Sequence, residues 1–219
     1  MNLPSAAKAT SLEDLKNRIL NTDLVPSRSV LQNDIESVFE RLKSSEITNL
    51  PDLKASLKTP SKLKTLAQSS GITEEYLTLL RREIESYEPK PFKIKDVMAL
   101  TEEEIQSLLG QKLVTSNDVH ARLCSPGGLT ELQNWTGISE EHLKFLFHLS
   151  DLARVQWVSL NFAMMLIEAG YESAKKLSEA DANELDERLR KVNTNDKFFK
   201  GSVGLRDLKR LIFSASYVE

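Results

Sequence analysis

The chain has 219 residues, of which 40% are hydrophobic and 28% charged, and its 29 Lys and Arg stand against 32 Asp and Glu for a formal net charge of −3. That balance belongs to a globular protein and supplies no global positive field to gather nucleic acid. No apolar run approaches the roughly 18 residues of a membrane-spanning helix, and one cysteine, Cys124, cannot make an internal disulfide framework.

In chain order, residues 1–16 carry Lys8, Glu13 and Asp14 and lack an apolar core before a small-residue cleavage site, so they do not read as a secretory signal. With a lone thiol, a cytoplasmic location is the expectation. Ser11 before Leu-Glu-Asp, Thr101 with Glu104, and Ser178 with Asp181 are helix-start signals. Ile35, Val38, Phe39 and Leu42 repeat at helical spacing, as do Leu143, Leu146, Phe147, Leu149 and Leu152. The β-branched pairs Ile47-Thr48 and Val114-Thr115 are too short to alternate as strands. An all-α fold follows.

The chain also resembles itself. Leu63–Leu77 (LKTLAQSSGITEEYL) and Leu129–Leu143 (LTELQNWTGISEEHL) share seven of fifteen positions, where about one is expected by chance. A second element recurs at Leu42–Leu53, Leu108–Val119 and Leu166–Leu177. Each copy reads as a helix end, a polar turn and a new start capped by Asn49, Thr115 or Ser173. Gly170 suits the left-handed residue of such a turn, which Glu46 and Lys112 fill less comfortably. The expected organisation is an N-terminal tail and short helix over residues 1–23, a partial repeat over 24–58, and repeats over 59–125 and 126–219. That makes about two and a half copies, the last with a C-terminal capping helix. Repeat edges fall near Thr59–Ser61 and Ser125–Gly128, and Glu88-Pro89-Lys90-Pro91 makes a further break.

Short helices joined in tandem by Gly-Ile-Thr or Gly-Ile-Ser resemble the helix-hairpin-helix family, built of SAM-like helical units. The layout is closest over Asp151–Asn193. With Leu79–Val97 (LLRREIESYEPKPFKIKDV) and the duplicated hairpins, the chain from about Leu24 resembles an uncharacterised bacterial family of tandem helix-hairpin-helix-like proteins. The resemblance implies a fold and no activity. In nucleic-acid-binding members, a Gly-hydrophobic-Gly turn brings backbone amides to a phosphate. Here Thr73 and Ser139 replace the second glycine and read as N-caps that consume those amides, with Glu74, Glu75, Glu140 and Glu141 following. In a third hairpin Trp157 and Ser159 fill both glycine positions.

Two surfaces remain as candidates. Arg81, Arg82 and Tyr87, ahead of a Pro-containing connector, form a candidate strip for a protein partner. Lys197, Lys200, Arg206, Lys209 and Arg210, interleaved with Phe198 and Phe199, form a candidate nucleic-acid patch. Their plainer reading is a solvated face on a capping helix. His142 and His148 lack the spacing of a helical metal pair, and Asp151 is placed to orient His148. Cys124 reads as buried and inert, and Trp135 and Trp157 as core. The expectation is a non-catalytic interaction or scaffold module with a protein partner and no cofactor or metal. Nucleic-acid binding through the C-terminal basic stretch is the alternative, and an enzyme with an unrecognised site the second.

Overall fold

The computed structural model describes residues Ser11–Val218. The tail over residues 1–10 lies outside the described residues. The chain divides between Ser86 and Tyr87 into two compact units. The first holds α1 (Leu12–Asn21), α2 (Ile35–Ser44), α3 (Leu50–Leu57), α4 (Pro60–Ser70) and α5 (Glu74–Ser86). The second holds α6 (Glu102–Gly110), α7 (Ser116–Leu123), α8 (Gly128–Thr136), α9 (Glu140–Leu152), α10 (Leu160–Glu168), α11 (Ala174–Ser178), α12 (Ala182–Val192) and α13 (Leu205–Ala215). Among the described residues no strand forms; Ser11 with Asn49, and Lys93 with Thr115, make isolated bridges. No helix among them is long and apolar enough to cross a membrane.

The chain divides at the Pro-containing break, where α5 stops at Ser86 and Pro89 and Pro91 disfavour helix in the residues before them. The repeat edges expected near Thr59–Ser61 and Ser125–Gly128 lie inside the units, at the starts of α4 and α8. Gly128 is obligatory there: a Cβ would stand 2.0 Å from the Arg122 carbonyl oxygen.

Ser11 and Thr101 each form a reciprocal capping box, with Asp14 and Glu104. Ser178 does not start a helix. It is the last residue of α11, and Asp181 itself caps α12 by accepting from the amides of Asn183 and Glu184. A carboxylate nearer the helix wins, because it reaches two orphan amides where one hydroxyl reaches one. The apolar stripes face inward as their spacing requires. Ile35, Val38, Phe39 and Leu42 are buried in the first unit, and Leu143, Leu146, Leu149 and Leu152 are fully buried in the second.

Three helix ends are built alike. The amides of Ile47, Leu113 and Tyr171 donate back to the carbonyls of Leu42, Leu108 and Leu166, at 3.2, 3.1 and 2.8 Å. Those of Glu46, Lys112 and Gly170 donate to Lys43, Leu109 and Ile167. These paired bonds make a Schellman motif each time, and the left-handed residue it needs is Glu46 (φ 64°), Lys112 (φ 61°) or Gly170 (φ 89°). Asn49, Thr115 and Ser173 then cap α3, α7 and α11.

The contacts recur as well. In each of the groups α2–α5, α6–α9 and α10–α13, the first helix packs on the third, and the second and third pack on the fourth.

These turns and one partly buried hydroxyl each set a stability test. Glu46→Gly and Lys112→Gly relieve a left-handed side chain and raise unfolding free energy by about 1 kcal/mol each. Gly170→Ala lowers it, since φ is +89° and its Cβ meets the Arg188 guanidinium at 3.2 Å; urea unfolding reads all three. The Tyr76 hydroxyl donates to the Leu31 carbonyl at 2.7 Å, and burial pushes its phenol up to about 12. Because the raised group is favoured neutral in the folded state, its contribution is complete below the ordinary value of 10.0 and disappears as pH rises through about 12. Tyr76→Phe costs about 1 kcal/mol at neutral pH, a deficit that closes over that alkaline window in pH-dependent urea titrations.

Candidate functional site

The two duplicated turns are closed by the chain itself. Gly71 (φ 68°) and Gly137 (φ 70°) end α4 and α8, their amides donating to Ala67 and Gln133. The Ser70 hydroxyl donates to the Leu66 carbonyl at 2.6 Å and accepts from the Ile72 amide at 3.3 Å. Thr136 does the same between Leu132 and Ile138, at 2.7 and 3.3 Å. Thr73 and Ser139 accept from the amides of Tyr76 and His142, both at 3.2 Å. The amides of Gly71, Ile72 and Tyr76 in one turn, and of Gly137, Ile138 and His142 in the other, are thus bonded within the chain and withheld from a phosphate. The residue at the next equivalent position anchors each hairpin within its own unit: Tyr76 to Leu31, and His142 through Nδ1 to Glu104 at 2.6 Å.

The Arg81, Arg82 and Tyr87 strip is not one exposed surface. Arg81 lies along α5 with Nε 3.7 Å from Glu85, and Arg82 is exposed. Glu83 between them is buried in an ion pair with Arg28, and Tyr87 is only 9% exposed, across the boundary between the units.

The basic stretch is distributed around a cavity. Lys197 pairs with Glu168 at 2.6 Å and lies over the Phe198 ring, while Lys200, Arg206 and Lys209 are exposed. Arg210 pairs with Asp207 at 3.3 Å and sets its guanidinium 4.6 Å from the Trp157 ring centre. The cavity, about 470 Å³, is lined by Trp157, Phe162, Phe198, Phe199, Val203 and Leu211, with Ser159, Asn161, Asp207 and Arg210 as its polar groups. Its size and apolar lining suit ligand binding.

Three elements shape it. Ser159 caps α10 and presents Phe162, whose ring meets Phe199 edge to face at 6.3 Å. Asn193, just after α12, clamps the loop: its side-chain oxygen accepts from the Phe198 amide at 2.9 Å, and its amide nitrogen donates to the Phe199 carbonyl at 3.0 Å. From α13, Leu208 and Leu211 are buried beneath, and Arg210 reaches the rim.

Trp157 is not a core residue, and neither is Trp135. They are 44% and 55% exposed, each with an arginine over its ring, Arg210 in one case and Arg122 in the other. Trp157 also adopts φ 69°, the conformation glycine holds in the duplicated turns, ahead of buried Val158 and the hydroxyl cap Ser159. A bulky residue held there stores about 1 kcal/mol or more of backbone strain. Asn195 and Asp196, in the loop carrying Phe198 and Phe199, have φ 57° each.

A second cluster was invisible in the sequence reading. Cys124 is exposed, not buried, with Sγ 3.6 and 3.8 Å from the His120 ring nitrogens. Asp151 lies 3.4 Å from His120 Nε2 rather than orienting His148, and accepts from the Ala174 amide at 2.8 Å. Arg154 joins at 2.8 Å from Nε2, and Phe147 stacks on the imidazole at 5.6 Å. The four-residue step from His120 on α7 to Cys124, which caps that helix, was the available signal; the carboxylate comes from α9, which no spacing reveals. A sulfur nearly equidistant from both nitrogens is not aligned on either lone pair, as a thiol–imidazole nucleophile requires.

Burial pushes the Asp151 carboxyl up, but His120, the Ala174 amide and Arg154 outweigh it and hold it below the ordinary value of 3.8. The lowered value means its contribution is complete above 3.8 and vanishes as pH falls through the depressed one. Asp151→Asn is therefore less stable than the native chain at neutral pH, and the gap narrows in acid, as urea midpoints across that range will report.

No curated protein and no solved structure matches the chain. A family model described as Domain of unknown function (DUF4332) matches residues 99–217, more than half of the chain. That span contains α6 to α13, and with them the aromatic cavity and the thiol cluster; the chain belongs to this family.

Proposed function

We propose that this protein is a non-catalytic protein-interaction module of tandem helix-hairpin-helix-like units. Its three units are α2–α5, α6–α9 and α10–α13, and in the last the segment 193–204 replaces the tight turn. The recurrence of the same helix contacts in each group, and of the Schellman turn between the first two helices of each, supports this division. A cytoplasmic setting, suited to an exposed lone thiol, is part of the same reading.

The observation that carries the proposal is Trp157. A half-exposed tryptophan kept in a strained backbone conformation beside an open aromatic cavity suits an interaction hot spot, and tryptophan and arginine are the residues such spots favour. The nucleic-acid alternative is weaker, since two of its five cations are paired with Glu168 and Asp207 and the turn amides of Ile72 and Ile138 are occupied. The enzyme alternative has the thiol cluster, whose alignment does not favour it.

Replacing Trp157 by the photo-reactive p-benzoylphenylalanine in the cells that make the protein tests the reading. Irradiation is expected to yield protein adducts at this position, identified by mass spectrometry, that are absent when the label sits at exposed Glu46. Adducts to RNA or DNA, or none above that control, would overturn it.

A further inference from the structure

We infer that the cavity beside Trp157 is the seat of an acidic peptide segment that inserts a bulky apolar side chain, a step that rests on the protein-interaction reading and names its partner. The apolar half follows from the lining: Phe162, Phe199, Val203 and Leu211 make a seat for a Phe- or Leu-sized group, closed at one edge by the Trp157 indole. Such anchors contribute most of the binding energy where a pocket desolvates them fully.

The acidic half follows from charge. The whole chain is net negative, yet Asp196 to Arg210 holds five cations against two carboxylates, Asp196 and Asp207. Glu168 neutralises Lys197 from outside that stretch, so the excess is smaller but of the same sign. Lys200 follows Phe199 and Lys209 precedes Arg210, both lining residues, and the two lysines are exposed and able to meet carboxylates. Arg210 itself is only 14% exposed, and its Nε–H is buried without a hydrogen-bond acceptor in a wall of the cavity. A buried donor left unmade is costly, and Arg210, paired with Asp207, is the cation among the residues that line the cavity.

A single nucleic-acid strand fits these observations less well. Its bases need open aromatic faces and its backbone a continuous track of cations. Here Phe199 meets Phe162 edge to face, Lys197 covers Phe198, Arg210 covers one face of Trp157, and the space is a pocket.

The test uses the full chain carrying Trp135→Phe, so that Trp157 is the sole tryptophan and its emission reports the cavity. The probes are a synthetic peptide of alternating Asp and Glu around a central Phe-Leu pair, its Gly-Gly counterpart, a Lys-for-acid counterpart, and a short oligo-dT. The acidic Phe-Leu peptide is expected to shift Trp157 emission saturably. Its affinity falls at least about tenfold, or 1.4 kcal/mol, with the Gly-Gly or Lys peptide, in Arg210→Gln, and in the Lys200→Glu, Lys209→Glu double variant. That double variant alters only exposed side chains, so its loss is interpretable even if Arg210→Gln unfolds. No saturable shift with the acidic peptide, equal binding of the Lys peptide, or tighter binding of oligo-dT would overturn the inference. Protein adducts at position 157 without acidic-peptide binding would refute this partner class alone, whereas adducts to nucleic acid would refute the underlying reading as well.

Discussion

Everything distinctive about this fold depends on what happens to the unpaired amides at two tight turns. After Gly71 and after Gly137 the chain enters a new helix, and a helix N-terminus carries amides that must find acceptors. Ser70 and Thr136 supply one hydroxyl from behind the turn, and Thr73 and Ser139 another from in front. Both hairpins solve the problem in the same way with only partly identical residues. That recurrence is a stronger sign of a shared constraint than the sequence identity itself. Glu74, Glu75, Glu140 and Glu141 then complement the helix dipole, while the Arg41 guanidinium donates to the Gly71 carbonyl at 3.0 Å and Lys144 pairs with Glu140.

Once the turns are satisfied internally, the surface with unspent binding capacity lies elsewhere in the second unit. The succession at Trp157, Val158 and Ser159 keeps the backbone form of the closed turns but places an indole where glycine would be unstrained. The loop after α12 opens the last group of helices enough to leave an aromatic hollow beside that indole, and Asn193 holds it open by binding both Phe198 and Phe199 through their backbones. Strain, exposure and cavity coincide at one place, which is the usual arrangement where a binding surface is maintained against the preference of the isolated chain.

The helical architecture was legible because its signals are local. Apolar residues three and four apart, hydroxyls before acidic turns, and the residue ending each Schellman motif all act within one or two helical turns, so spacing alone located them. Ser178 misled because Asp181, three residues on, is itself the better cap. The site was far less legible. Exposure of Trp135 and Trp157 depends on which arginines reach over the rings, and Arg122 and Arg210 come from neighbouring helices in one case and from a distant one in the other. Tyr87 looked like part of an exposed strip and is buried, and between Arg82 and that residue the helical turn of α5 points Glu83 at Arg28. The meeting of Cys124, His120 and Asp151 joins two helices, and no periodicity in either predicts it.

The most direct measurement follows the backbone amides of Gly71, Ile72, Gly137 and Ile138 by nitrogen–proton correlation NMR while inorganic phosphate, and then an oligonucleotide, is added at low ionic strength. Closed turns predict that these four resonances stay in place, apart from the small linear drift that salt gives every amide. Saturable shifts confined to them would contradict the closure on which the functional reading stands.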